Sequence, residues 1–361
     1  MVFVQFVIPR FTNNAYESQL EALSAPTSKF ELKENISYKY FFNCLYEDLK
    51  YDESLYQNSQ NCSSKFIQHL NQIGQEIKKE VSLDSHVIEI GCGKGDFIQL
   101  LFKLGFNNLT GFDEAYQGNS GLFKKRYFSK EDQDLKADSI ILRHTLEHIP
   151  NPFGFLEKIV RINNNENCNL FLEVPCFKHI LKTGAYWDLT FEHCNYFTED
   201  SFKELMPGCE VKKVFDGQYL FVKSNANLIK IKSKEKESNP LNLNNFFPSI
   251  NNKENNIDVK IDLPHDIRYW LWGSATKGLM HLWHRKINDP LYIPPLSCID
   301  INPAKQNKYL PCLGYKIRSP EFLYRNAKDK DIVYISNSSY KNEIEILIKN
   351  NTDHDLILKN I

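Results

Sequence analysis

The chain has 361 residues, which is enough for two or three domains that each bury a core. Its 44 basic residues almost balance its 45 acidic residues, so no overall charge attracts nucleic acid or an anionic membrane. Hydrophobic residues make up 42% of the sequence, yet no apolar run approaches the roughly 20 residues that cross a bilayer. The composition therefore predicts a soluble globular protein without a nucleic-acid or membrane partner.

The first residues and the cysteines predict where the protein resides. Residues 1–10 lack the basic start and the small-residue cleavage site of a signal peptide, and they predict a short strand. The nine cysteines include no Cys-x-x-Cys pair, which a structural zinc site would need. We therefore expect reduced thiols in a cytoplasmic protein that binds no metal.

Residues 1–80 are rich in aromatic residues and predict an N-terminal arm or cap that leads into a helix. The helix is predicted because apolar residues recur at helical spacing near the end of this segment. These residues are Phe66, Ile67, Leu70, Ile73 and Ile77.

Residues 81–225 alternate between strand-like and helix-like patterns. Buried strands are predicted at 87–90, 109–113, 139–142 and 170–174, and helices at 97–104 and 153–162. Strands that alternate with helices at this spacing form parallel sheets. We therefore expect an α/β fold with a doubly wound sheet.

The composition changes again in the last third of the chain. Residues 226–262 are rich in Asn, Lys, Glu and Ser and predict a linker or a surface insertion. Residues 263–361 predict a second, smaller Rossmann-like α/β domain, with strands at 269–272, 296–300 and 332–335.

A glycine-rich turn follows the first strand of the larger α/β unit. It contains Gly91, Gly93 and Gly95, and Glu89 stands two positions before the first glycine. Asp113 closes the next strand about twenty residues on, where a carboxylate meets ribose hydroxyls. A carboxylate at the turn suits the ammonium group of S-adenosylmethionine (SAM) and is unfavourable for a dinucleotide's phosphates. A dinucleotide enzyme and plain strand–helix packing stay open, but the spacing favours SAM.

Three stretches resemble the class I SAM-dependent methyltransferases. They are residues 89–95, 111–113 and 137–152, the last of which reads ADSIILRHTLEHIPNP. The resemblance implies that Glu89 and the glycines line the methionine part of SAM and that Asp113 holds the ribose.

The same resemblance implies that the loop at 142–148 faces the methyl group. Arg143 and His144 are accordingly expected to bind the cofactor, and His148 to act in catalysis. His144 and His148 also fit as ordinary helix-capping residues, and both interpretations stay open.

A narrower likeness covers most of the chain from Tyr56 onward. The stretches at 173–175, 183–185, 191–198, 272–278 and 299–311 are similar to sugar C-methyltransferases that act on nucleotide-linked keto-deoxysugars. That family pairs a central SAM domain with a C-terminal Rossmann-like domain. The likeness implies a nucleotide-sugar substrate.

The catalytic segment of that family falls on residues 190–193. Glu192 and His193 match its Glu and His, whereas its Tyr falls on Thr190 and its preceding His on Phe191. The resemblance thus implies catalysis by Glu192 and His193. Thr190 is expected to contact the substrate, with Tyr56 or water filling the place of the missing phenol.

The chemistry gives these residues definite roles. An imidazole with a pKa near ~6.5 suits proton removal from a carbon beside a ketone, so His193 is the expected general base. Lys277 lies in the second glycine turn, where a diphosphate would bind. Glu192 and His193 also fit as mere loop caps, and the second turn as a relic that binds nothing.

The sequence thus predicts a SAM-dependent methyltransferase that modifies an activated sugar in polysaccharide or glycoconjugate biosynthesis. C-methylation follows if the family chemistry persists. N- or O-methylation of a related sugar and a non-catalytic paralogue that binds SAM or a sugar nucleotide remain as alternatives.

Overall fold

The computed structural model describes residues 6–52, 54–57, 61–243 and 268–361. The first five residues of the predicted N-terminal strand lie outside the described residues, as do 244–262 of the predicted linker and the start of the predicted C-terminal domain. Within the described ranges the strands are β1 (Phe6–Pro9), β2 (Thr27–Phe30), β3 (Leu32–Asn35), β4 (Tyr40–Asn43), β5 (His86–Ile90), β6 (Asn108–Phe112), β7 (Phe123–Lys124), β8 (Ser139–Arg143), β9 (Asn169–Pro175), β10 (Asn195–Tyr196), β11 (Glu210–Val214), β12 (Tyr219–Asn225), β13 (Tyr269–Trp272), β14 (Cys298–Ile299), β15 (Ile317–Arg318), β16 (Ile332–Ile335) and β17 (Ile357–Asn360). The helices are α1 (Gln19–Leu23), α2 (Ser64–Glu80), α3 (Asp96–Lys103), α4 (Pro152–Asn163), α5 (Phe177–Thr183), α6 (Glu199–Leu205), α7 (Thr276–Asn288), α8 (Pro320–Asn326) and α9 (Lys341–Asn351).

The larger sheet has seven strands in the order β11-β12-β9-β8-β5-β6-β7. Strands β5 to β9 run parallel, and β12 and β11 add an antiparallel edge beside β9. Helices cover both faces, which is why the central strands are apolar on both sides. The predicted doubly wound α/β fold is confirmed.

The core of this sheet shows how alternation along a strand serves two layers. Val87 packs with Ile77 of α2 and Leu101 of α3 on one face. Its neighbour Ile88 packs with Leu156 of α4 on the opposite face. Successive strand residues point to opposite faces, so a continuous apolar run is needed to hold both helix layers.

A second sheet has five parallel strands in the order β15-β14-β13-β16-β17. Leu271 of β13 packs with Leu279 of α7, and Trp272 packs on the other face with Ile344 of α9. This sheet is consistent with the second, smaller α/β domain that the sequence predicts.

The N-terminal arm is a folded layer of short strands. Strands β1 and β2 pair with each other, and β3 and β4 extend a sheet onto β10 of the larger domain. The arm also reaches the smaller domain, where Trp283 Nε1 donates to the carbonyl of Val7 and Cys312 N to that of Ala22. The arm therefore ties the two domains together, which its composition alone did not predict.

The first part of the predicted linker is built into this layer. Glu237 forms a β-bridge with Asn35, Leu241 N donates to the carbonyl of Leu32, and Leu243 is buried. These residues lie along the edge of β3 that is not paired with β4. Backbone groups of β3 are therefore paired on that side as well, although the predicted linker is largely polar.

Each sheet changes strand order at one point, and these two points place the functional groups. The order reverses between β5 and β8 in the larger sheet and between β13 and β16 in the smaller one. Ligands of open α/β sheets bind at the carboxyl ends of strands beside such a reversal. Among the described helices, none is long and apolar enough to span a membrane.

Candidate functional site

One cavity of about 400 Å³ lies between the carboxyl ends of the two parallel sheets. It is lined by both glycine turns, by the loop after β8 and by the segment before β10. Its lining includes the sequence-predicted residues Tyr56, Glu89, Gly91, Gly93, Arg143, His144, His148, His193 and Lys277. The predicted site residues that do not line it are Gly95, Asp113, Thr190 and Glu192.

Two of the three glycines of the first turn are required by close packing. A Cβ on Gly91 would lie 2.2 Å from Thr145 Oγ1, and one on Gly95 would lie 2.4 Å from the ring of Phe123. Both glycines also have positive φ, which other residues rarely adopt. Gly93 has positive φ as well, but the space beside it is open, so here the turn leaves bare backbone against the cavity.

Asp113 follows β6 and braces this turn. Its Oδ2 accepts from Gly93 N at 2.7 Å, and its Oδ1 accepts from Ala115 N at 2.8 Å. The carboxylate therefore sits directly behind backbone that lines the cavity.

Glu89 lies at the end of β5 and is 2% exposed. Among the described residues its Oε2 has no hydrogen-bond partner, although the side chain lines the cavity. Burial raises the pKa of Glu89 to about 7, and the Arg143 guanidinium offsets only part of that effect. A buried carboxylate without a partner is costly, so a cationic ligand group fits here. The α-ammonium of SAM has the required charge.

A buried charge cluster, which sequence reasoning missed, stands beside Glu89. Glu173, two residues before the end of β9, is fully buried and accepts from Arg143 Nε at 3.0 Å and from His69 Nε2 at 2.6 Å. Burial alone would raise the pKa of Glu173, but Arg143, His144 and His69 outweigh it and hold the pKa well below its usual value. The available signal was an acidic residue within a buried, otherwise apolar strand.

Arg143 and His144 therefore serve this cluster as well as the cavity. The Arg143 guanidinium lies over the Phe97 ring at 4.4 Å, and His144 lies within 3.4 Å of both Glu147 and Glu173. Burial lowers the pKa of His144, but the two carboxylates raise it to about 9. The ring is thus a cation at neutral pH, which a capping role would not require.

The predicted catalytic segment is divided by the structure. Thr190 is buried, where its N–H donates to Tyr196 Oη and its carbonyl accepts from the same hydroxyl. Glu192 is also buried and accepts from Thr12 N at 2.6 Å and from the Thr12 hydroxyl. Thr190 therefore braces the loop outside the cavity lining, and Glu192 anchors the loop to the arm. The contact of Thr190 with substrate stays a prediction.

His193 is the member of that segment that lines the cavity. Its ring lies edge-on to His148, with centroids 4.9 Å apart, and His148 Nδ1 bonds to the carbonyl of Glu192 at 2.7 Å. Burial, followed by the nearby His148, lowers the pKa of His193 to about 3. A ring with this pKa is neutral at neutral pH, so its free nitrogen can accept a proton but holds it weakly. The role of His193 as general base stays a prediction.

Tyr56 joins the cavity from the arm. Its backbone pairs with Asn14, and its ring lies 4.8 Å from that of Tyr51. The arm thus contributes a phenol to the site.

The second glycine turn repeats the first in outline. A Cβ on Gly273 would lie 1.9 Å from Ser336 Oγ, and Asp300 Oδ2 accepts from Ser274 N at 3.0 Å. Lys277 at the start of α7 is paired with Asp188, at 2.5 and 2.6 Å from its two oxygens. Lys277, which was predicted to bind a diphosphate, is thus already paired with a carboxylate.

Lys305 is a second cation that sequence reasoning missed. It is 4% exposed and lines the cavity. Burial lowers its pKa, although Asp300 and Glu192 act in the opposite direction. It lies in the stretch 299–311 that resembles the sugar C-methyltransferases, but only the folding of the loop after β14 brings its side chain to the cavity.

Comparisons with known proteins agree with this geometry. A family model described as a methyltransferase domain matches residues 63–208. Human EEF1A lysine methyltransferase 2 is 28% identical over 140 residues, which are 37% of this chain and 58% of that protein. The chain thus spans little more than half of that relative's length.

Solved structures give weaker likenesses. Human N-acetylserotonin methyltransferase in complex with SAM is 13% identical with a TM-score of 0.33, over 44% of this chain and 54% of that one. Magnesium protoporphyrin IX methyltransferase from Synechocystis with bound SAH is 16% identical with a TM-score of 0.34, over 50% and 90%. The assignment therefore rests on the family match and on the Glu89 turn. Residues 63–208 match a methyltransferase domain, and the buried Glu89 carboxylate beside the glycine turn fits S-adenosylmethionine as its cofactor.

Proposed function

We propose that the protein transfers a methyl group from SAM to a hydroxyl or amino group of a nucleotide-linked sugar. One observation carries this proposal: a single cavity is lined by the SAM turn on one side and by a second glycine turn on the other. A substrate with a nucleotide at one end and a sugar at the other would span such a cavity.

SAM supplies an electrophilic methyl group on a sulfonium. On the side of the larger domain, Glu89 would pair with its ammonium, and the bare backbone at Gly91 and Gly93 would allow close approach. Asp113 would hold the ribose through its remaining lone pairs while it braces the turn. Arg143 would act indirectly, by holding the buried Glu173 carboxylate beside Glu89.

The side of the smaller domain suits an anionic ligand. The N-terminus of α7 opens on the cavity at Ala275 and Thr276, and Lys277 and Lys305 line the same wall. Helix N-termini and lysines bind phosphate oxygens. Asp300 would then occupy the place beside the ribose that Asp113 occupies in the other turn.

The divided catalytic segment supports oxygen or nitrogen as the acceptor atom. C-methylation, which the resemblance to sugar C-methyltransferases implies, needs a proton acceptor beside a carbon acid. Thr190 and Glu192 form hydrogen bonds within the loop and to the arm, and neither lines the cavity. A hydroxyl or amine already has a lone pair and needs less assistance, so we favour oxygen or nitrogen.

The experiment is mass spectrometry after incubation with isotopically labelled SAM and a panel of nucleotide-linked sugars. We expect one labelled methyl group on a sugar oxygen or nitrogen, and no product with Glu89→Gln. Label on a sugar carbon would restore C-methylation. Transfer only to a lysine of a protein, the activity in the human relative's name, would refute the sugar proposal. SAM binding without any transfer would identify a non-catalytic paralogue.

A further inference from the structure

Three side chains converge on one point of the cavity wall. They are Glu147 and His148, from the turn after β8, and His193, from the segment before β10. One ligand atom of each lies within 4.8 Å of the other two. The cluster is separate from Glu89, to which the SAM ammonium is assigned.

Glu147 has the strongest need for a partner. It is 1% exposed, and among the described residues neither carboxylate oxygen has a hydrogen bond. Its nearest cation is the His144 ring, whose Nδ1 lies 3.4 Å from Oε1 and which is shared with Glu173. A buried carboxylate in this state gains much from an additional cation.

His148 is held as metal-binding histidines are held. Its Nδ1 bonds to the backbone carbonyl of Glu192 at 2.7 Å, which requires the proton on Nδ1 and leaves Nε2 with a lone pair. In metal sites such a bond fixes the ring and its tautomer. The carbonyl that does this stands next to His193 in the chain, so one loop positions both rings.

The donor set indicates which ions fit. Two imidazoles and one carboxylate suit divalent zinc, manganese, iron or cobalt better than calcium or magnesium, which prefer oxygen alone. Around an ion with bonds of about 2.1 Å, ligand atoms lie about 3.4 Å apart, so small side-chain rotations complete the set. Three protein ligands leave coordination positions open, as in catalytic sites.

We propose that Glu147, His148 and His193 bind one divalent transition-metal ion whose open positions face the cavity and hold the acceptor. Cysteine spacing predicted a protein without metal, but this site uses no cysteine and joins residues 45 positions apart in the chain. Ion binding does not depend on the acceptor's identity.

The test is calorimetric titration of the full chain, treated with a chelator and dialysed, with manganese(II) and separately with zinc(II). We expect one manganese ion per chain. Glu147→Gln and His193→Ala should each weaken it by about 100-fold or more, beyond the roughly 10–100-fold cost of losing an outer-shell partner. His179→Ala is the matched control, because His179 lines the same cavity outside the cluster, and it should keep the wild-type affinity.

Manganese paramagnetic resonance and circular dichroism separate the outcomes. Nitrogen hyperfine coupling from two imidazoles supports the site, and circular dichroism shows whether each variant is folded. Glu147→Asp keeps the carboxylate and should recover part of the affinity. No stoichiometric binding at millimolar manganese, or equal binding by a folded Glu147→Gln, would overturn the proposal. These titrations contain no SAM or sugar, so a failed sugar assay does not change what they show about the ion.

Discussion

The two glycine turns share a geometry and differ in charge. In each, the first glycine packs against a hydroxyl that follows the neighbouring strand, Thr145 for Gly91 and Ser336 for Gly273. In each, an aspartate at the end of the next strand accepts from a backbone N–H of the turn. The two turns therefore share a backbone design that does not by itself specify a ligand.

The charged residues around the two glycine turns differ. Two positions before the first glycine, the larger domain has buried Glu89, whereas the smaller domain has buried Leu271. A carboxylate suits the ammonium of SAM, whereas the smaller domain has no carboxylate at this position and places Lys277 and Lys305 on the cavity wall, which suits an anion. The charged side chains around the two turns thus distinguish them.

The largest expected effect comes from filling the glycine contacts. Gly91→Ala places a Cβ against Thr145, a stiff β-branched residue, at positive φ, and should abolish measurable SAM binding. Its cost in unfolding free energy should be of order 1–3 kcal/mol. Gly121→Ala, which meets no atom within 4 Å, has no positive φ and does not line the cavity, is the matched control and should keep wild-type SAM binding. Calorimetry and thermal melts measure both, and equal loss in the two variants would contradict the packing argument.

Gly273→Ala is the counterpart in the smaller domain. Its Cβ would meet Ser336 Oγ, so nucleotide-sugar affinity should be lost while SAM affinity stays within about twofold of wild type. The measurement is a pair of titrations, one per ligand. If Gly273→Ala weakens SAM and spares the nucleotide sugar, the two turns have been assigned to the wrong ligands.

The paired aspartates come next. Asp113→Ala should cost about 1.5–3 kcal/mol of SAM binding, because hydrogen bonds to a charged group are lost. Asp300→Ala should leave SAM binding unchanged and weaken the nucleotide sugar to a similar extent. Titration of each variant with each ligand gives four affinities. We expect Asp113→Ala to weaken only SAM and Asp300→Ala to weaken only the nucleotide sugar. Losses of SAM affinity in both variants would show that the turns are not independent.

Glu89 should make SAM binding depend on pH. Burial raises the pKa of Glu89 to about 7, and the ammonium binds the charged form, so lowering the pH from 8 to 6 should weaken binding about tenfold. Glu89→Gln should bind weakly and show a flat profile over the same range. Titrations with S-adenosylhomocysteine (SAH), the demethylated product of SAM, at several pH values measure this dependence. A wild-type profile as flat as that of the variant would show that Glu89 does not bind the ammonium group.

The smallest effect should come from Asp188. It neutralises Lys277, so Asp188→Asn should free the lysine and tighten the nucleotide sugar by up to about fivefold, the range of a partly exposed ion pair. SAM affinity is the internal reference and should not move. Weaker nucleotide binding in this variant would mean that Asp188 itself contacts the substrate.

Local patterns in the sequence were sufficient for the framework. The β5 strand, the β13 strand and the two glycine turns follow from apolar runs and from residues that permit positive φ. These signals are local because strand burial and turn geometry are decided over a few neighbouring residues. The fold class and the cofactor were predicted for this reason.

The contacts of the catalytic segment were not predictable in this way. Thr190 and Glu192 matched a family pattern, yet Tyr196 and Thr12 engage them away from the cavity. Thr12 lies 180 positions from Glu192, and no short window of sequence contains such a pair. The folding of the arm across the loop decided their roles.

The sequence by itself determined the two α/β units, the SAM turn and the order of both along the chain. Tertiary structure alone decided that both turns open on one cavity, that Lys305 joins it, and that Glu147 meets His148 and His193 there. The physical reason is that periodicity reports which face of an element is buried, whereas a site is made where separate elements end. Those ends are brought together by packing between the domains and the arm, over separations that local patterns do not encode.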